Sequence, residues 1–419
     1  MDTTIVRKTN KQAHKSYPIT QQVIGLFGFG NVGKGLYHVL CHVPREKAYI
    51  KTICVKDRSK KRDECANLIT YNPDDILRDP DINLVVELID SARDAFSIVK
   101  KAMLMGKSVV SGNKAMLAHH LPELVQLQEK TGVALLYDAS ACGSIPVIRN
   151  LEEYYDNDLL VSIRGILNGS TNFILSRMFI HSESYSDALC QAQSLGFAES
   201  NPDFDVMGFD ALYKLIILAL HSFGTFIQPE QAFCYGIQNL TNFDIGYARE
   251  KGKKIKLVAH LRKFSESCFT LFVIPTLVAP DDYIFNVENE FNGVVIEGQY
   301  YDKQFMFGKG AGGFPTASAV LSDITARLHG YRYEYKKFYF SSPPSYTTDV
   351  VLSLYIRYSR ESDLNVFDIL EVQERYNGPE YRWVVARVKL SSLLKIKELL
   401  PKRNLFTIFT GEYSGGILS

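Results

Sequence analysis

The sequence predicts a doubly wound parallel α/β domain, then an α+β domain with an open sheet, and a small α+β module at the C-terminal end. Three observations carry this prediction. Short β-branched runs alternate with helix-length segments early in the chain, and after Ile145-Pro146 the rhythm changes to runs of helix followed by runs of strand. The length, 419 residues, corresponds at roughly 150 per domain to two or three domains.

Met1 to Thr20 is polar, carries Lys8, Lys11 and Lys15 with no apolar run behind them, and reads as an extension rather than a secretory signal. Strands are expected at Val23 to Phe27, Ile50 to Val55, Leu84 to Ile89, Ser108 to Ser111 and Val133 to Tyr137. Between them, helices are expected at Val32 to His42, Ala92 to Met105 and Met116 to Lys130, which leaves room for right-handed crossovers. This first domain covers 21–146. A second domain, 147–313, opens with helices at Ile145 to Tyr155, Thr171 to Ile180, Tyr185 to Leu195 and Asp210 to Phe223, and continues with strands such as Phe269 to Val278 and Val294 to Gly298. The helix Thr316 to Leu328 follows the cluster Gly308, Gly310, Gly312 and Gly313, and 314–340 is expected to return to the first domain. The tail, 341–419, has strand candidates Val350 to Tyr358, Asp368 to Tyr376 and Tyr381 to Val388 and a helix at Leu393 to Leu399.

Composition excludes several function classes. Lys+Arg 47 against Asp+Glu 46 leaves a formal charge of +1, without the basic excess that nucleic acid or an anionic membrane surface requires. The longest apolar stretch, Leu215 to Leu220, is far below the ~20 residues of a membrane span. Seven scattered cysteines, an odd number without CxxC pairing, argue against a disulfide framework or zinc site and fit the cytoplasm.

Gly28-Phe29-Gly30-Asn31-Val32-Gly33 follows an apolar strand and opens a helix, the context in which GxGxxG reads as a dinucleotide loop of a Rossmann-type domain. Its glycines, with Asn31 and Val32, let a pyrophosphate approach the positive helix end. At the end of the second strand, Lys56-Asp57-Arg58-Ser59-Lys60-Lys61-Arg62 is dominated by cations. That favours NADP, with Lys56 and Arg58 as partners of the extra phosphate; Asp57 is the residue that would serve NAD, and a solvated charged turn is the bland alternative.

Asp210 and Lys214, four residues apart, share one face of a helix that continues as Leu215-Ile216-Ile217-Leu218-Ala219-Leu220. On an average helix this is an exposed ion pair worth a few tenths of a kcal/mol. A helix apolar on nearly every side belongs in a core, so a charge pair at its start is costly unless it lines a site. Glu199, Asp203 and Asp205 precede it and are candidates for the same cleft, where a partly desolvated lysine suits proton transfer to a hydroxyl or carbonyl. Lys114, in Gly112-Asn113-Lys114, follows a strand end of the kind where open α/β sheets bind ligands. Asn168-Gly169-Ser170-Thr171-Asn172 reads either as a helix cap or as a holder for a substrate carboxylate.

Taken together, over residues 22–330, these patterns resemble homoserine dehydrogenase, with Asn113-Lys114-Ala115, Tyr137 to Pro146, Gly165 to Asn172, Glu199 to Lys214 and Gly310-Ala311-Gly312 in matching order. The chain has no room for a fused aspartate kinase, so the monofunctional form is expected. The resemblance implies NAD(P)-dependent interconversion of L-homoserine and L-aspartate 4-semialdehyde, with NADP, or NAD, as cofactor. It implies Lys214 as general acid/base and Lys114 as a second lysine near nicotinamide and substrate. Glu199 and Asp210, with Asp205, Gly169 and Ser170, would bind homoserine, and Gly312 would touch the cofactor. A monovalent cation, sodium, would be held by Asp138 and by carbonyls of Ala141, Gly143 and Ile145. A cytoplasmic homodimer is implied as well. This chain departs from the family's usual pattern at Asp138 (usually Glu), Phe197 (Tyr in some members), Asn201 (usually acidic) and Asp90-Ser91 (usually Gly-Gly). Its tail lacks the glycine turn and first helix of a regulatory ACT domain, so a reduced ACT-like or other small domain is expected. The competing readings are another Rossmann amino-acid dehydrogenase and a non-catalytic NADP-binding sensor.

Overall fold

The computed structural model describes residues 21–157, 159–339 and 342–414; the expected extension, Met1 to Thr20, lies outside the described residues. Six parallel strands form the first sheet: β1 (Gln22–Phe27), β2 (Ala48–Cys54), β3 (Ile69–Thr70), β4 (Leu84–Glu87), β5 (Ser108–Ser111) and β6 (Leu135–Leu136), in the order β3-β2-β1-β4-β5-β6. Helices α1 (Asn31–Leu40), α2 (Asp74–Leu77), α3 (Ala92–Leu104) and α4 (Lys114–Thr131) connect them. Central strands covered on both faces need unbroken apolar runs, and β4 reads Leu84-Val85-Val86 for that reason. The order reverses between β1 and β4, which opens a crevice at their carboxyl ends.

The second region contains α5 (Ala139–Cys142), α6 (Val147–Glu153), β7 (Leu160–Ile166), α7 (Gly169–His181), α8 (Tyr185–Ser194), α9 (Asp203–Val206), α10 (Phe209–Phe223), β8 (Phe233–Cys234), α11 (Asn242–Glu250), β9 (Lys254–Ser265), β10 (Cys268–Val278), β11 (Phe291–Gly298) and β12 (Asp302–Lys309). Then follow α12 (Gly313–Leu328), β13 (Ser345–Tyr346), β14 (Val351–Tyr358), β15 (Ile369–Asn377), β16 (Arg382–Lys389), α13 (Leu390–Ile396) and β17 (Phe406–Ser414). The second sheet runs β12-β11-β7-β9-β10-β17-β14-β16-β15, with β8 and β13 also pairing with β10. Helix α10 is buried from Ala211 to Phe223 apart from Tyr213, as its composition demands. Helix α12 packs on α1 so closely that a Cβ on Gly35 would lie 2.6 Å from the Gly313 carbonyl oxygen.

The tail forms no sheet of its own. Its last strand, β17, lies beside β10, so β14, β16 and β15 extend the second sheet. The junction is pinned by a buried ion pair in which Arg357 Nε of β14 donates to Asp244 Oδ1 of α11 at 2.8 Å. Tyr355 and Thr241 donate to the same carboxylate, and the Asn239 carbonyl accepts from Arg357. Strands β12 and β17 were not expected from sequence: β12 is a polar edge, and β17 carries Gly411 at φ +97°.

Candidate active site

The glycine turn joins β1 to α1. Gly28 has φ +94°, and a Cβ there would lie 2.4 Å from the Leu88 carbonyl oxygen; a Cβ on Gly33 would lie 2.4 Å from that of Gly28. Both positions therefore require glycine. A Cβ on Gly30 would meet nothing within 4 Å, leaving open space beside the first turn of α1, where Asn31 and Val32 follow. The N-terminus of α12 converges on the same point: Gly312 has φ +120°, and a Cβ on Gly313 would lie 3.0 Å from the Asn31 carbonyl oxygen. Two helix N-termini facing one open space suit a dinucleotide pyrophosphate, so these residues fit that group.

At the end of β2, Lys56 is 95% exposed in its side chain, with Nζ 3.6 Å from Asp94 Oδ2. The Arg58 guanidinium lies 4.6 Å from the Tyr71 ring centroid. Asp57 Oδ1 accepts from the Ser59 hydroxyl at 2.6 Å and its amide at 2.8 Å, bonds that hold this carboxyl below its usual range. Asp57 thus organises its own turn, while Lys56 pairs with Asp94 and Arg58 stacks on Tyr71.

The centre of the site is Asp210, 2% exposed at the start of α10. Lys214, 6% exposed, donates from Nζ to Asp210 Oδ2 and to the Leu167 carbonyl, both at 2.7 Å. Lys114 reaches from the first domain and places Nζ 2.7 Å from Asp210 Oδ1; its side chain is 34% exposed. Burial alone would raise the Asp210 carboxyl, but Lys114, Lys214 and Asn168 overcome it and hold the group well below the usual carboxylate range. In return Asp210 holds Lys114 above its ordinary value, against the opposing effect of burial.

Asn168, read from sequence either as a helix cap or as part of a carboxylate holder, has a further contact that sequence reasoning did not foresee. Its Oδ1 does cap α7, accepting from the Thr171 amide at 2.8 Å, but its Nδ2 donates to both Asp210 Oδ2 and Asp205 Oδ1 at 2.8 Å. An amide with one end on a cap and the other on two carboxylates needs a preceding strand and a following acid cluster, both visible in the sequence. Asp205 is pushed up by burial and by the Asp210 charge. Glu199 is exposed on the loop after α8, and its charge acts on Lys114. The Ser170 hydroxyl is taken by the Phe197 carbonyl at 2.5 Å, and a Cβ on Gly169 would lie 2.5 Å from the Glu290 carbonyl oxygen. An aromatic wall not foreseen from sequence flanks Lys114: Phe204 lies 5.7 Å away and packs on Tyr213, whose hydroxyl is 3.3 Å from His119 Nε2.

Asp138 follows β6. Its Oδ1 accepts from the Arg149 amide at 3.1 Å, and its own amide donates to Asp323 Oδ2 at 3.0 Å. Burial pushes Asp138 up to about 6 and Asp323 to about 7. Arg149 also pairs with Asp323. In the segment Ala139 to Ile145, Gly143 has φ +55° and a Cβ there would lie 2.5 Å from the Gly310 carbonyl oxygen, while the Ile145 carbonyl accepts from the Val147 amide at 2.8 Å. Asp138 brings one carboxylate to this segment; the backbone carbonyls of Ala141, Gly143 and Ile145 are the other oxygens the resemblance would assign to a monovalent cation, and oxygen donors suit such an ion. Among the described residues no cluster of three or more His, Cys, Asp or Glu forms a metal site, and no helix is long and apolar enough to cross a membrane.

Comparison with known proteins gives one answer throughout. The family model "Homoserine dehydrogenase, NAD binding domain" matches residues 28–138, and "Homoserine dehydrogenase" matches 146–325. The chain is 37% identical over 312 residues to a homoserine dehydrogenase of Synechocystis, covering 72% of each chain. It is 38% identical over 308 residues to that of Pseudomonas aeruginosa, covering 72% of this chain and 71% of the relative. Among solved structures, a homoserine dehydrogenase from Thiobacillus denitrificans superposes with TM-score 0.80 at 29% identity, over 94% of this chain and 98% of that one. A hyperthermophilic archaeal homoserine dehydrogenase mutant in complex with NADPH has TM-score 0.64 at 26% identity, over 75% of this chain and 99% of that one.

Proposed function

The chain belongs to the homoserine dehydrogenase family, and from that premise we propose how its residues carry out the reaction. It is an NAD(P)-dependent oxidoreductase that interconverts L-homoserine and L-aspartate 4-semialdehyde in threonine and methionine biosynthesis. The nicotinamide, when bound, supplies the hydride chemistry at the carbinol carbon. The protein supplies a proton at the oxygen and the field that steadies it.

Lys214 is the general acid/base. A lysine ammonium has three N–H donors; two of those on Lys214 go to Asp210 and Leu167, which leaves one for the substrate oxygen. As the ammonium it donates a proton to the forming alkoxide in the reducing direction, and as the neutral amine it takes the hydroxyl proton in the oxidising direction. Lys114 stays charged beside the same carboxylate and stabilises negative charge on substrate or alkoxide. Both Asp210 oxygens are committed to lysines and Asn168, so Asp210 orients homoserine through the two ammonium groups. Glu199 and Asp205 face the substrate ammonium, and the first-turn amides of α7 at Gly169 and Ser170 receive its carboxylate.

NADP is the preferred cofactor, because Lys56 and Arg58 put two cations at the end of β2, Lys56 held only by a long surface pair with Asp94, while Asp57 is tied into its own turn. Sodium is held by Asp138 with Ala141, Gly143 and Ile145: Asp138 and Asp323 together carry one carboxylate more than Arg149 balances. The enzyme acts as a homodimer.

The observation that carries this reading is the single buried carboxylate joining a lysine from each domain. The test follows nicotinamide absorbance with purified protein and homoserine, using NAD and NADP separately in sodium, potassium and choline salts. Homoserine-dependent reduction, faster with NADP and dependent on sodium, is expected. No reduction with either cofactor in any salt refutes it.

A further inference from the structure

Glu87 ends β4, in register with Ser111 of β5, at the carboxyl ends of the strands where the crevice opens. It has no exposed surface. An apolar residue there would continue Leu84-Val85-Val86, and a buried carboxyl is costly unless its bonds are used. Oε1 accepts from the Ile89 amide at 2.8 Å, and Oε2 accepts from the Ser111 hydroxyl at 2.5 Å. Ser111 Oγ accepts in turn from the Asn113 amide at 3.1 Å. Asn113 ties both strand ends together: Nδ2 donates to the Ile89 carbonyl at 2.9 Å, and Oδ1 accepts from the Met116 amide at 2.8 Å to cap α4. Lys114 is the first residue of that helix.

We propose that Glu87 is a positioning residue for the reaction, setting through Ser111 and Asn113 the place of the α4 N-terminus and hence of the Lys114 ammonium beside Asp210. This rests on the role given above to Lys114. Burial pushes the Glu87 carboxyl up to about 7, although Ser111, the Ile89 amide and Asn113 favour its charged form; Asp90 is the charged group that acts on it and raises it further. Ionised, Glu87 accepts from both donors. Protonated, it donates its own O–H to the Ser111 oxygen, and the Ser111 hydroxyl proton loses its acceptor. The pH profile of kcat therefore carries an inflection near neutrality that originates in this network and not in a group touching substrate.

The experiment compares wild type, E87Q, S111A and K114A, with thermal unfolding recorded for each. E87Q keeps the shape and an acceptor for Ile89 but neither ionises nor accepts from Ser111. Its kcat is expected to fall about tenfold, with the KM for cofactor within about twofold and the inflection near pH 7 lost. S111A cuts the same link while leaving the carboxyl, and the same split is expected; it also serves if E87Q does not fold. Wild-type kcat and an unchanged profile in a folded E87Q, or wild-type kcat in S111A, overturns the proposal. Equal losses in kcat/KM for cofactor and in unfolding temperature, with the inflection kept, overturn it too, since Glu87 then only supports the fold. Wild-type kcat in K114A refutes the role of Lys114 itself, a separate result from failure of the Glu87 link.

Discussion

Replacing Asp210 with Asn tests the proposed chemistry most directly. Asp210 accepts from Lys114 and Lys214 at 2.7 Å and from Asn168 at 2.8 Å, so the neutral amide leaves two ammonium groups without their shared anion. Its new N–H donors also face donors on every side. Removing one partner of a buried pair costs ~3–5 kcal/mol. Lys114 keeps some water, being 34% exposed, so the lower end applies, ~3 kcal/mol. At 1.4 kcal/mol per decade, loss of that much transition-state stabilisation lowers kcat/KM by ~10²-fold. Unfolding should shift down by about 3–4 °C for a chain of this size. Because Asp210 is the chief influence raising Lys114, which burial opposes, the alkaline limb of the rate profile should move to lower pH in D210N. Steady-state kinetics with homoserine from neutral to alkaline pH, with a thermal melt, read all three effects. A variant within threefold of wild type in kcat/KM, with unchanged melting and alkaline limb, refutes the assignment of Asp210 as the shared anchor.

Lys214→Ala should lower kcat by ~10²-fold or more while NADPH fluorescence titration shows nearly unchanged cofactor binding; wild-type turnover would make the pair structural. Lys56→Ala with Arg58→Ala should raise the KM for NADP by about tenfold to a hundredfold and leave that for NAD nearly unchanged, as read by parallel assays with each cofactor. Asp138 and Asp323 sit at about 6 and about 7 in the folded chain against 3.8 unfolded, so the folded state holds protons that the unfolded state releases. Their contribution to stability is present below about pH 4 and lost as pH rises through 6 to 7. The fall in melting temperature over that window should flatten in Asp323→Asn. Arg357→Ala, which leaves Asp244 buried without its guanidinium, should destabilise the chain by ~3–5 kcal/mol in a denaturant titration.

The glycine turn was legible because its constraints are local: a positive φ at Gly28 and contact of Gly33 with the Gly28 carbonyl demand glycine whatever surrounds them. The Asp210–Lys214 pair was legible because helical spacing places both on one face, and an apolar helix exposes the cost of charging it. Lys114 and Asp210 are far apart in sequence, and no local pattern brings them to 2.7 Å; only the resemblance placed both in one site. Asn168 hid in plain view, because its cap explained half of its side chain and nothing in the sequence showed what the other half met. Glu87 was passed over as part of an apolar strand, since its side-chain partner, Ser111, belongs to another strand. The pairing of the tail with the second sheet was not legible, because β17, the strand that ties it to β10, was not anticipated.

The accuracy of the lysine pair depends on how α10 is held more than on the pair itself. Lys214 and His221 lie seven residues apart, on one face of this helix. His221 Nε2 is 2.8 Å from the Tyr137 hydroxyl, at the end of the first sheet, and its Nδ1 is 2.5 Å from Glu152 Oε1 of α6. Glu152 Oε2 accepts in turn from the Glu334 and Tyr335 amides, both at 3.2 Å. One end of α10 is thus fastened to α4 of the first domain through Lys114 and Asp210, and the other through Tyr137. A helix fixed at both ends and buried between them has little freedom to rotate or slide. The Lys214 ammonium is therefore held at a place set by core packing, and the two domains cannot shift against each other without breaking bonds at both ends of one helix.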